Sequence, residues 1–365
     1  MINRQRLIDT FTTLVRIDNP SGQEQQMAAA VCALLRELGL TPEQDAKGNV
    51  IARVPGAGEP LLLNAHLDSV APAVGKQAVI DNGVIRSAGD TVLGADDLAG
   101  VAAIIEALRS LRETGAHHRA AEVVFTVEEE SGLTGARQLD VSRLRARQGV
   151  ALDLNGPVGG ICIAAPAQAG ITVTFIGRAA HAGVAPEEGI SAIVVAAEAI
   201  SHMPLGRIDH ETTANIGTIQ GGAARNIVPE RVTLVGEARS RDEAKLQRQI
   251  AAMRQACEEA AARHGAQVEF VAKQSYGPQR IAPDAPIVQL CQAAVRRIGL
   301  EPRLVETGGG SDVNILNMRG IEAVNLSIAY EAIHSTNERI AIDDLERAAQ
   351  LVRALLEVGV AEHSA

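Results

Sequence analysis

The 365-residue sequence predicts an α/β protein in which a largely parallel central sheet carries helices on both faces, with a smaller α+β domain inserted into it. Two observations predict this class. Short apolar runs alternate with apolar residues at helical spacing before residue 167 and again after residue 275, whereas the strands between those positions are half-exposed. We therefore expect one discontinuous domain at residues 1–166 and 276–365 and an inserted domain at residues 167–275.

The first part of the chain alternates helices with strands. Ser21–Glu24 has the pattern of a capping box, and the apolar spacing after it predicts an amphipathic helix that ends at Gly39. The change to short apolar runs bounded by Gly and Pro predicts strands, and the return of helical spacing predicts another helix. In chain order these elements are strands at Val50–Val54 and Leu61–Leu63, a helix across Leu98–Leu111 and a strand at Val123–Val127.

The predicted insertion begins with a half-exposed strand, because Ile171, Val173 and Phe175 alternate with two threonines. The mixture of helices and strands after it predicts an α+β fold, and the α/β pattern then resumes. These elements are a helix near 189–202, strands at Thr213–Ile219 and Val232–Glu237, a polar helix at 242–264, and the resumed helices near 284–298 and 342–358.

Composition and charge exclude several classes of partner. The chain has 44 acidic and 34 basic residues, a net charge of −10 and no block dense in Lys or Arg, so we expect neither nucleic acid nor an anionic membrane as a partner. Aromatic residues make up 2% and Trp is absent, which argues against a surface for stacking bases. Because no apolar run is long enough to span a bilayer and no signal-peptide pattern is present, the expected location is the cytoplasm.

The four cysteines are scattered along the chain without CxxC spacing. In a chain of this size they are expected to be buried free thiols, not disulfides or zinc ligands. They are Cys32, Cys162, Cys257 and Cys291.

Acidic residues and histidines follow the predicted strands at several points. Glu128–Glu130 directly follow one strand, and carboxylates this close either raise one another's pKa or require a cation. His66 and Asp68 follow another strand, at the kind of position where open α/β sheets form ligand crevices. Asp153 ends a further apolar strand, and His334 lies in a loop near the C-terminus. The sequence therefore places candidate nitrogen and oxygen ligands at the ends of strands and in loops of one domain.

Taken singly, two of these motifs have simpler interpretations. His66 with Asp68 is also what a turn histidine with a capping aspartate looks like. Asp96 and Asp97 stand where a helix begins, a position that favours Asp as a capping residue. The glutamate triplet is harder to explain without a cation.

Taken together, the histidines and carboxylates favour a divalent metal, with zinc the default and manganese or cobalt as alternatives. Two metal ions would use so many acidic residues better than one. Their positive charge would offset the crowded carboxylates, and one glutamate left off the metals could act as general base on a metal-bound water.

Seven motifs carry a family resemblance, in order from about residue 60 to 340: HLD, GADD, EEES, the LD that ends at Asp153, AAHAG, NIVPE and HSTNE. They resemble the dinuclear-metal peptidases and deacylases related to peptidase T, glutamate carboxypeptidase and acetylornithine deacetylase. The forms GADDLAG and EEESGLTGA look most similar to the peptidase T branch. The resemblance implies a zinc-peptidase-like catalytic domain with an inserted lid, which fits the change of character at residues 167–275.

The resemblance also implies a role for each matched residue of a two-metal centre. The position of Glu129, 33 residues after Asp96, fits the general base. The other implied roles are His66 at one metal with Asp153 completing its shell, His334 at the other metal, Asp96 as the bridge between them, Glu130 as a further ligand, and Asp68 as the hydrogen-bond partner of the far nitrogen of His66.

Further residues are implied to bind the substrate. A histidine of the lid would donate to the developing oxyanion, an arginine would bind a peptide carboxylate bidentately, and a glycine loop would approach the substrate with its backbone. These residues are His181, Asn226, Arg239 and the loop Gly308–Asp312 with Gly309 and Ser311. Relatives often form a homodimer through the lid and others act as monomers, so the resemblance leaves both states open, with a homodimer through the lid as one expectation.

One residue departs from the family pattern. Many relatives have Lys directly after the paired aspartates, whereas this chain has Leu98. That lysine is not a metal ligand, so the departure concerns local charge balance and the substrate subtype. Relatives also have a cis peptide between the paired aspartates, which predicts one between Asp96 and Asp97.

The reaction predicted from the resemblance is amide hydrolysis. A water that bridges two metals, its pKa lowered by them, would lose its proton to Glu129 and attack the scissile carbonyl. We expect an aminopeptidase of short peptides, with tripeptides as substrates. The alternative of the same class is an N-acyl amino acid deacylase or carboxypeptidase, and the alternative of a different class is a non-catalytic metal- or peptide-binding protein.

Overall fold

The computed structural model describes residues 1–359 of the chain, which divides into two compact units. The first unit consists of Met1–Ile163, Arg280–Glu306 and the chain from Ser311 onward, and the second of Ala164–Gln279 and Thr307–Gly310. The sequence analysis placed the insertion at 167–275 and did not separate the short segment at 307–310 from the first domain. In the second unit this segment is held where the Thr307 N–H donates to the Ala164 carbonyl at 2.9 Å.

The α-helices of the described chain include every helix that the sequence predicted. Their ends differ from the predicted ends by a few residues. In chain order they are α1 (Arg4–Val15), α2 (Gln25–Glu37), α3 (Ala95–Thr114), α4 (Thr134–Gln138), α5 (Ala192–His202), α6 (Glu243–His264), α7 (Pro286–Arg297), α8 (Asp312–Met318) and α9 (Ile342–Glu357).

The strands include all those predicted and several short ones that apolar periodicity did not reveal. They are β1 (Glu43–Gln44), β2 (Val50–Val54), β3 (Ala57–His66), β4 (Ala78–Asp81), β5 (Val84–Ser87), β6 (Arg119–Thr126), β7 (Gln148–Leu154), β8 (Gly160–Ala165), β9 (Ala167–Ile176), β10 (Gly206–Arg207), β11 (Thr212–Gly221), β12 (Arg231–Ser240), β13 (Gln267–Tyr276), β14 (Gln279–Arg280), β15 (Arg303–Glu306), β16 (Glu322–Ser327) and β17 (Arg339–Ala341).

The large sheet has the order β1-β2-β6-β3-β7-β16-β8-β14, with β15 also paired to β8. Its centre is parallel, because β6, β3, β7 and β16 pair in the same direction. The strands β1, β2 and β8 pair antiparallel towards the edges. A separate small sheet has the order β17-β5-β4.

Successive residues of the central strands enter two different apolar clusters. Leu61 and Leu63 of β3 pack in a large cluster with residues of α1, α2, α3, α7 and α9. Leu62, between them, packs in a second cluster with Val313 and Leu316 of α8. Full burial of one such leucine contributes roughly 1.5–3 kcal/mol. Because each face of the sheet has its own helices, the prediction of helices on both faces is confirmed.

The second unit is built on one antiparallel sheet in the order β10-β11-β12-β9-β13. In β9, Ile171, Val173 and Phe175 are buried in a cluster with residues of α5 and α6, and Thr172 between them is exposed. The helices therefore cover the apolar face of the sheet, and the predicted α+β character is confirmed.

The predicted capping box before α2 is wrong. The helix begins at Gln25, and its N-cap residue, Glu24, makes no side-chain capping bond. The Ser21 hydroxyl instead donates to Asp68 at 2.7 Å. Glu24 accepts from the N–H groups of Gly22 at 2.8 Å and Glu128 at 3.0 Å. The side chains of Ser21 and Glu24, which a capping box would have used, are thus engaged in other hydrogen bonds, some of them to residues far away in the sequence.

Two expectations from composition can be compared with the described residues. All four cysteines are buried, as predicted, and they form no disulfide among the described residues. Within residues 1–359, none of the helices combines the length and apolarity needed to cross a bilayer.

A buried carboxylate joins the N-terminal helix to the long central helix. Glu106 of α3 is fully buried and accepts hydrogen bonds from Arg6 Nε at 2.7 Å and from the Asn3 N–H at 2.8 Å. Arg6, which is partly exposed, also pairs with Glu113 at the surface. Hydrogen bonds to a charged group stabilise a protein more than neutral ones do. The network therefore fixes the N-terminal helix against the core.

We predict that Glu106→Ala lowers the free energy of unfolding by roughly 1.5–3 kcal/mol, because bonds to a buried charged group are lost. The matched control is Glu113→Ala, which removes only the exposed partner of Arg6 and should cost less than about 1 kcal/mol. Urea unfolding followed by circular dichroism measures both. Equal losses in the two variants would contradict the role given to Glu106.

Candidate metal centre

Neighbouring strands of the first unit bring several candidate residues together. His66 is the last residue of β3, Asp153 is the penultimate residue of β7, and Glu129 and Glu130 follow β6 by a short turn. Because β6, β3 and β7 are adjacent and parallel, their carboxyl ends meet at one edge of the sheet. The four side chains come from separate parts of the sequence and share this edge.

Asp96 lies between the two histidines. Its Oδ1 is 3.1 Å from His66 Nε2, and its Oδ2 is 3.5 Å from His334 Nε2. Glu130 Oε1 is 3.0 Å from the same nitrogen of His334. Asp96 therefore offers one oxygen to each histidine, which is the arrangement that a bridging carboxylate needs.

Two sets of three ligands can be drawn from these residues, and they share Asp96. In each set the ligand atoms lie within 4.8 Å of one another, and Glu129 falls in a further set with His66 and Glu130. Imidazole nitrogen and carboxylate oxygen are the donors that zinc, manganese and cobalt take. The sets are His66, Asp96 and Asp153, and Asp96, Glu130 and His334.

A pair of cations would offset the negative charge of the cluster. Burial and the carboxylate of Asp153 raise the pKa of Glu129 well above its usual range. Burial and the carboxylate of Asp96 likewise raise the pKa of Asp153. Buried carboxylates this close are stable as anions only when positive charge lies among them. The residues therefore fit divalent cations by their chemistry as well as by their placement.

The three adjacent glutamates do not all enter the cluster. Glu128 has a left-handed backbone, with φ of 51°, and its carboxylate pairs with Lys47. Glu129 is 8% exposed, and Glu130 contacts His334. The turn thus sends one of the three carboxylates to a lysine and two to the candidate site, which explains how the sequence tolerates the triplet.

Asp68 organises the residues around it. Its Oδ1 accepts from the Glu129 N–H at 2.9 Å, and its Oδ2 accepts from the Glu130 N–H at 3.1 Å. His66 Nδ1 is 3.0 Å from the backbone carbonyl of Asp68 and 3.4 Å from its Oδ1. The nearer partner of the imidazole is therefore the carbonyl. The Asp68 carboxylate, predicted to face His66, lies within ion-pair distance of the imidazole and also accepts from the backbone that carries the two glutamates.

Asp96 and Asp97 do not act as helix caps. Although α3 begins at Ala95, both residues have non-helical backbone angles, and the peptide bond between them is cis, as predicted. Asp97 is fully buried, and its Oδ2 accepts from the His66 N–H at 3.2 Å. The capping interpretation of this pair is therefore wrong.

A second cluster of acidic residues and histidine differs in one respect. Asp209, His210 and Glu211 of the second unit also place their ligand atoms within 4.8 Å of one another. There, Lys245 binds Asp209 at 2.9 Å and Glu211 at 2.7 Å, so an amino group already supplies the positive charge. In the cluster of the first unit, by contrast, the carboxylates are buried.

Comparison with known proteins identifies the family. The profile of peptidase family M20/M25/M40 matches residues 62–358, which include every candidate residue named above from His66 to His334. The chain belongs to peptidase family M20/M25/M40.

Similar proteins place the chain within the family. It is 41% identical to uncharacterized protein YqjE of Bacillus subtilis, across 98% of this chain and 99% of the other. The crystal structure of aminopeptidase PepT from Bacillus cereus has a TM-score of 0.88 and 41% identity, with 98% of each chain covered. A tripeptidase structure from Staphylococcus aureus has a TM-score of 0.93 and 39% identity, over 98% of this chain and 99% of that one. The predicted resemblance to the peptidase T branch is confirmed.

The predicted substrate residues of this family member lie mostly in the second unit. His181 and Asn226 are exposed on adjoining segments, because the Ala182 N–H donates to the Asn226 carbonyl at 3.0 Å. Arg239 binds Glu237 bidentately, at 2.9 and 3.0 Å. The Gly309 N–H donates to Thr307 Oγ1 at 3.1 Å. Their roles stay predictions.

Ser311, the last predicted substrate residue, lies in the first unit as the N-cap of α8. Its hydroxyl accepts from the Val313 N–H at 3.3 Å and from Asn325 Nδ2 at 3.2 Å. Both bonds are structural, and a role towards substrate stays a prediction.

The sequence analysis missed two residues that hold Asp153. Asn325 Oδ1 accepts from the Asp153 N–H at 2.8 Å, and its amide donates back to the Asp153 carbonyl. The buried Tyr330 hydroxyl donates to Asp153 Oδ1 at 3.1 Å. The available signal was a lone Asn within the apolar run of β16, a polar group that needs a partner when buried.

Leu98, at the position where the family resemblance implies Lys, is fully buried. Leu98 Cδ1 and Lys76 Nζ lie 3.5 and 3.0 Å from the point that a Cβ on Gly94 would occupy. Lys76 is itself 1% exposed, so a buried cation stands close to Leu98 although position 98 carries none. Lys76 thus supplies positive charge near the start of α3.

We predict that Asp68→Ala lowers the affinity of the enzyme for zinc by about 10–100-fold, the usual effect of losing a group that orients metal ligands. Without the Asp68 carboxylate, the N–H groups of Glu129 and Glu130 lose the acceptor that holds this part of the backbone. Zinc competition with a chromophoric chelator measures the affinity. Ser21→Ala, which removes only a donor to Asp68, is the control, and a similar effect in both variants would contradict the organising role.

Proposed function

We propose that the protein is a two-metal aminopeptidase that releases the N-terminal residue of short peptides, with tripeptides as its substrates. The observation that carries the proposal is the pair of ligand sets that share Asp96, with Glu129 beside them. Support for the substrate class comes from the similarity to the Bacillus cereus aminopeptidase and the Staphylococcus aureus tripeptidase.

The residues of the two sets would hold the metals. His66 and Asp153 would bind one, Glu130 and His334 the other, and Asp96 both. Zinc is the first choice, and manganese or cobalt are the alternatives. When bound, two such cations lower the pKa of a water and polarise the carbonyl of the substrate.

Glu129 would move the proton. Its side chain is buried, and its backbone is fixed by the bond to Asp68. A buried carboxylate beside the ligand sets is well placed to accept a proton from water and return it to the leaving amine. Because this residue is not needed in either ligand set, it can act without leaving a metal.

The substrate is a small peptide with a free amino group. An acidic site attracts the ammonium of a peptide N-terminus and gains nothing from a neutral acyl group. By the family resemblance, His181 would donate to the oxyanion, Asn226 and Arg239 would hold the peptide, and Gly309 and Ser311 would contact its backbone. Arg239 would then share its guanidinium between Glu237 and the substrate carboxylate. We place this peptide breakdown in the cytoplasm, and we retain a homodimer through the second unit as a prediction.

We predict that metal-stripped protein given back zinc, manganese or cobalt cleaves a free tripeptide and refuses its N-acetylated twin. The expected selectivity follows from the free ammonium of the first substrate. Chromatography of the released amino acid measures it. Cleavage of the acetylated peptide alone would favour a deacylase, and cleavage of neither substrate would favour a binding protein.

We predict that Glu129→Gln lowers kcat by about 10²–10⁴-fold, because the amide cannot accept a proton. Bound metal, measured by elemental analysis, should stay at the wild-type level, since Glu129 is not in either ligand set. The matched control is Glu128→Gln, the neighbouring glutamate that pairs with Lys47. A Glu129→Gln variant with wild-type kcat would exclude this residue as the base.

A further inference from the structure

Two segments that each supply a candidate ligand are joined by a carboxylate outside the ligand sets. Glu338 lies in the loop before β17, four residues after His334. It is 1% exposed. Its Oε2 accepts from the Gly94 N–H at 2.7 Å, and its Oε1 accepts from the Asp96 N–H at 2.9 Å. One side chain thus ties the loop of His334 to the turn of Asp96.

The turn at Asp96 needs such a partner. Residues 96 and 97 are not helical although α3 begins at Ala95, so regular helix bonds do not set their direction. A buried N–H without a partner costs about 1–3 kcal/mol. By accepting from two N–H groups on either side of Ala95, the carboxylate fixes the direction in which the Asp96 side chain leaves the backbone.

The loop of His334 is closed at its base, where Glu331 and Arg339 exchange backbone hydrogen bonds at 2.9 and 3.1 Å. The side chain of His334 is half exposed, and its backbone is left-handed, with φ of 59°. The Glu338 N–H donates to the Ser335 carbonyl at 3.2 Å, which closes a turn directly after the histidine. A short, closed turn therefore links His334 to Glu338, and Glu338 in turn bonds to the turn of Asp96.

A buried cation accompanies the buried carboxylate. Lys76 Nζ is 3.0 Å from the position that a Cβ on Gly94 would take, on the same turn that Glu338 binds. The amino group donates to Asn19 Oδ1 and lies 3.4 Å from Ser69 Oγ. Buried charges are retained only when opposite charge or hydrogen bonds compensate them. The carboxylate of Glu338 is compensated by its two N–H donors, and the amino group of Lys76 lies near the same turn.

From this geometry we infer that Glu338 is a positioning residue of the metal centre: it sets Asp96 relative to His334 and so determines how tightly and in what geometry the metal shared by these two residues is bound. The inference rests on the proposed function, since it takes Asp96 and His334 as ligands. Glu338 itself is in neither of the two ligand sets.

The test is Glu338→Gln in the full-length protein. The amide keeps the size of the side chain but has one acceptor oxygen, and its NH2 group would face a backbone N–H, so one of the two bonds is lost. We expect zinc affinity to fall by about 10–100-fold. We also expect the visible absorption of the cobalt-loaded protein to change, because that absorption reports ligand geometry and a merely structural residue would leave it unaltered.

The matched control is Glu331→Gln. Glu331 is in the same loop, is exposed and pairs only with Arg339 among the described side chains, so its removal should leave affinity and spectrum as in the wild type. Wild-type affinity and spectrum in a folded Glu338→Gln variant would overturn the inference alone. Absence of metal binding by the wild type would overturn the proposed metal centre and the inference with it.

A second variant covers a folding defect. Glu338→Asp keeps the charge but is one methylene shorter, so it should fold and still bind zinc more weakly than the wild type. If Glu338→Gln does not fold, zinc affinity and the absorption of the cobalt-loaded protein are measured on Glu338→Asp instead. Wild-type zinc affinity in Glu338→Asp, or failure of both variants to fold, would show that the carboxylate serves the fold and overturn its assignment to the metal centre.

Discussion

Mutual repulsion among buried carboxylates is the constraint on which the rest of the site depends. Asp96, Asp97, Glu129 and Asp153 lie close enough at one edge of the sheet to affect one another's pKa. Two histidines cannot balance them, and burial makes the anionic forms still less stable. A pair of divalent cations removes the conflict. The crowding of acidic motifs and the fit of the cluster to divalent cations are then two aspects of one electrostatic problem.

The parallel sheet makes that crowding attainable. Adjacent parallel strands present their carboxyl ends together, so residues from distant parts of the chain meet without long loops. Backbone groups then hold the side chains in place: Asp68 accepts from the N–H groups of Glu129 and Glu130, and Asn325 bonds the backbone of Asp153. Glu130 and Asp153 are therefore positioned by polar residues outside the two ligand sets.

The same principle explains how the chain tolerates Leu98. The positive charge that many relatives carry at that position is absent, but Lys76 approaches the start of α3 from another segment. A compensating charge needs only to lie near the site, so a residue from any segment that passes close to the site can supply it. Substitution at one position of a motif therefore does not by itself mean that the site has lost its balance.

The sequence by itself determined the fold class, the order of those elements that show apolar periodicity, and the acidic motifs, because periodicity and acidic residues at strand ends are local features. The helices α1, α4 and α8 and several short strands were not predicted. The sequence could not determine the start of α2, where Ser21 bonds to Asp68 instead of capping the helix. Nor could it identify Tyr330, Asn325 or Glu338, or which group faces the far nitrogen of His66. Those contacts join residues far apart in the chain or depend on backbone directions within a turn, and only the packed structure fixes such directions.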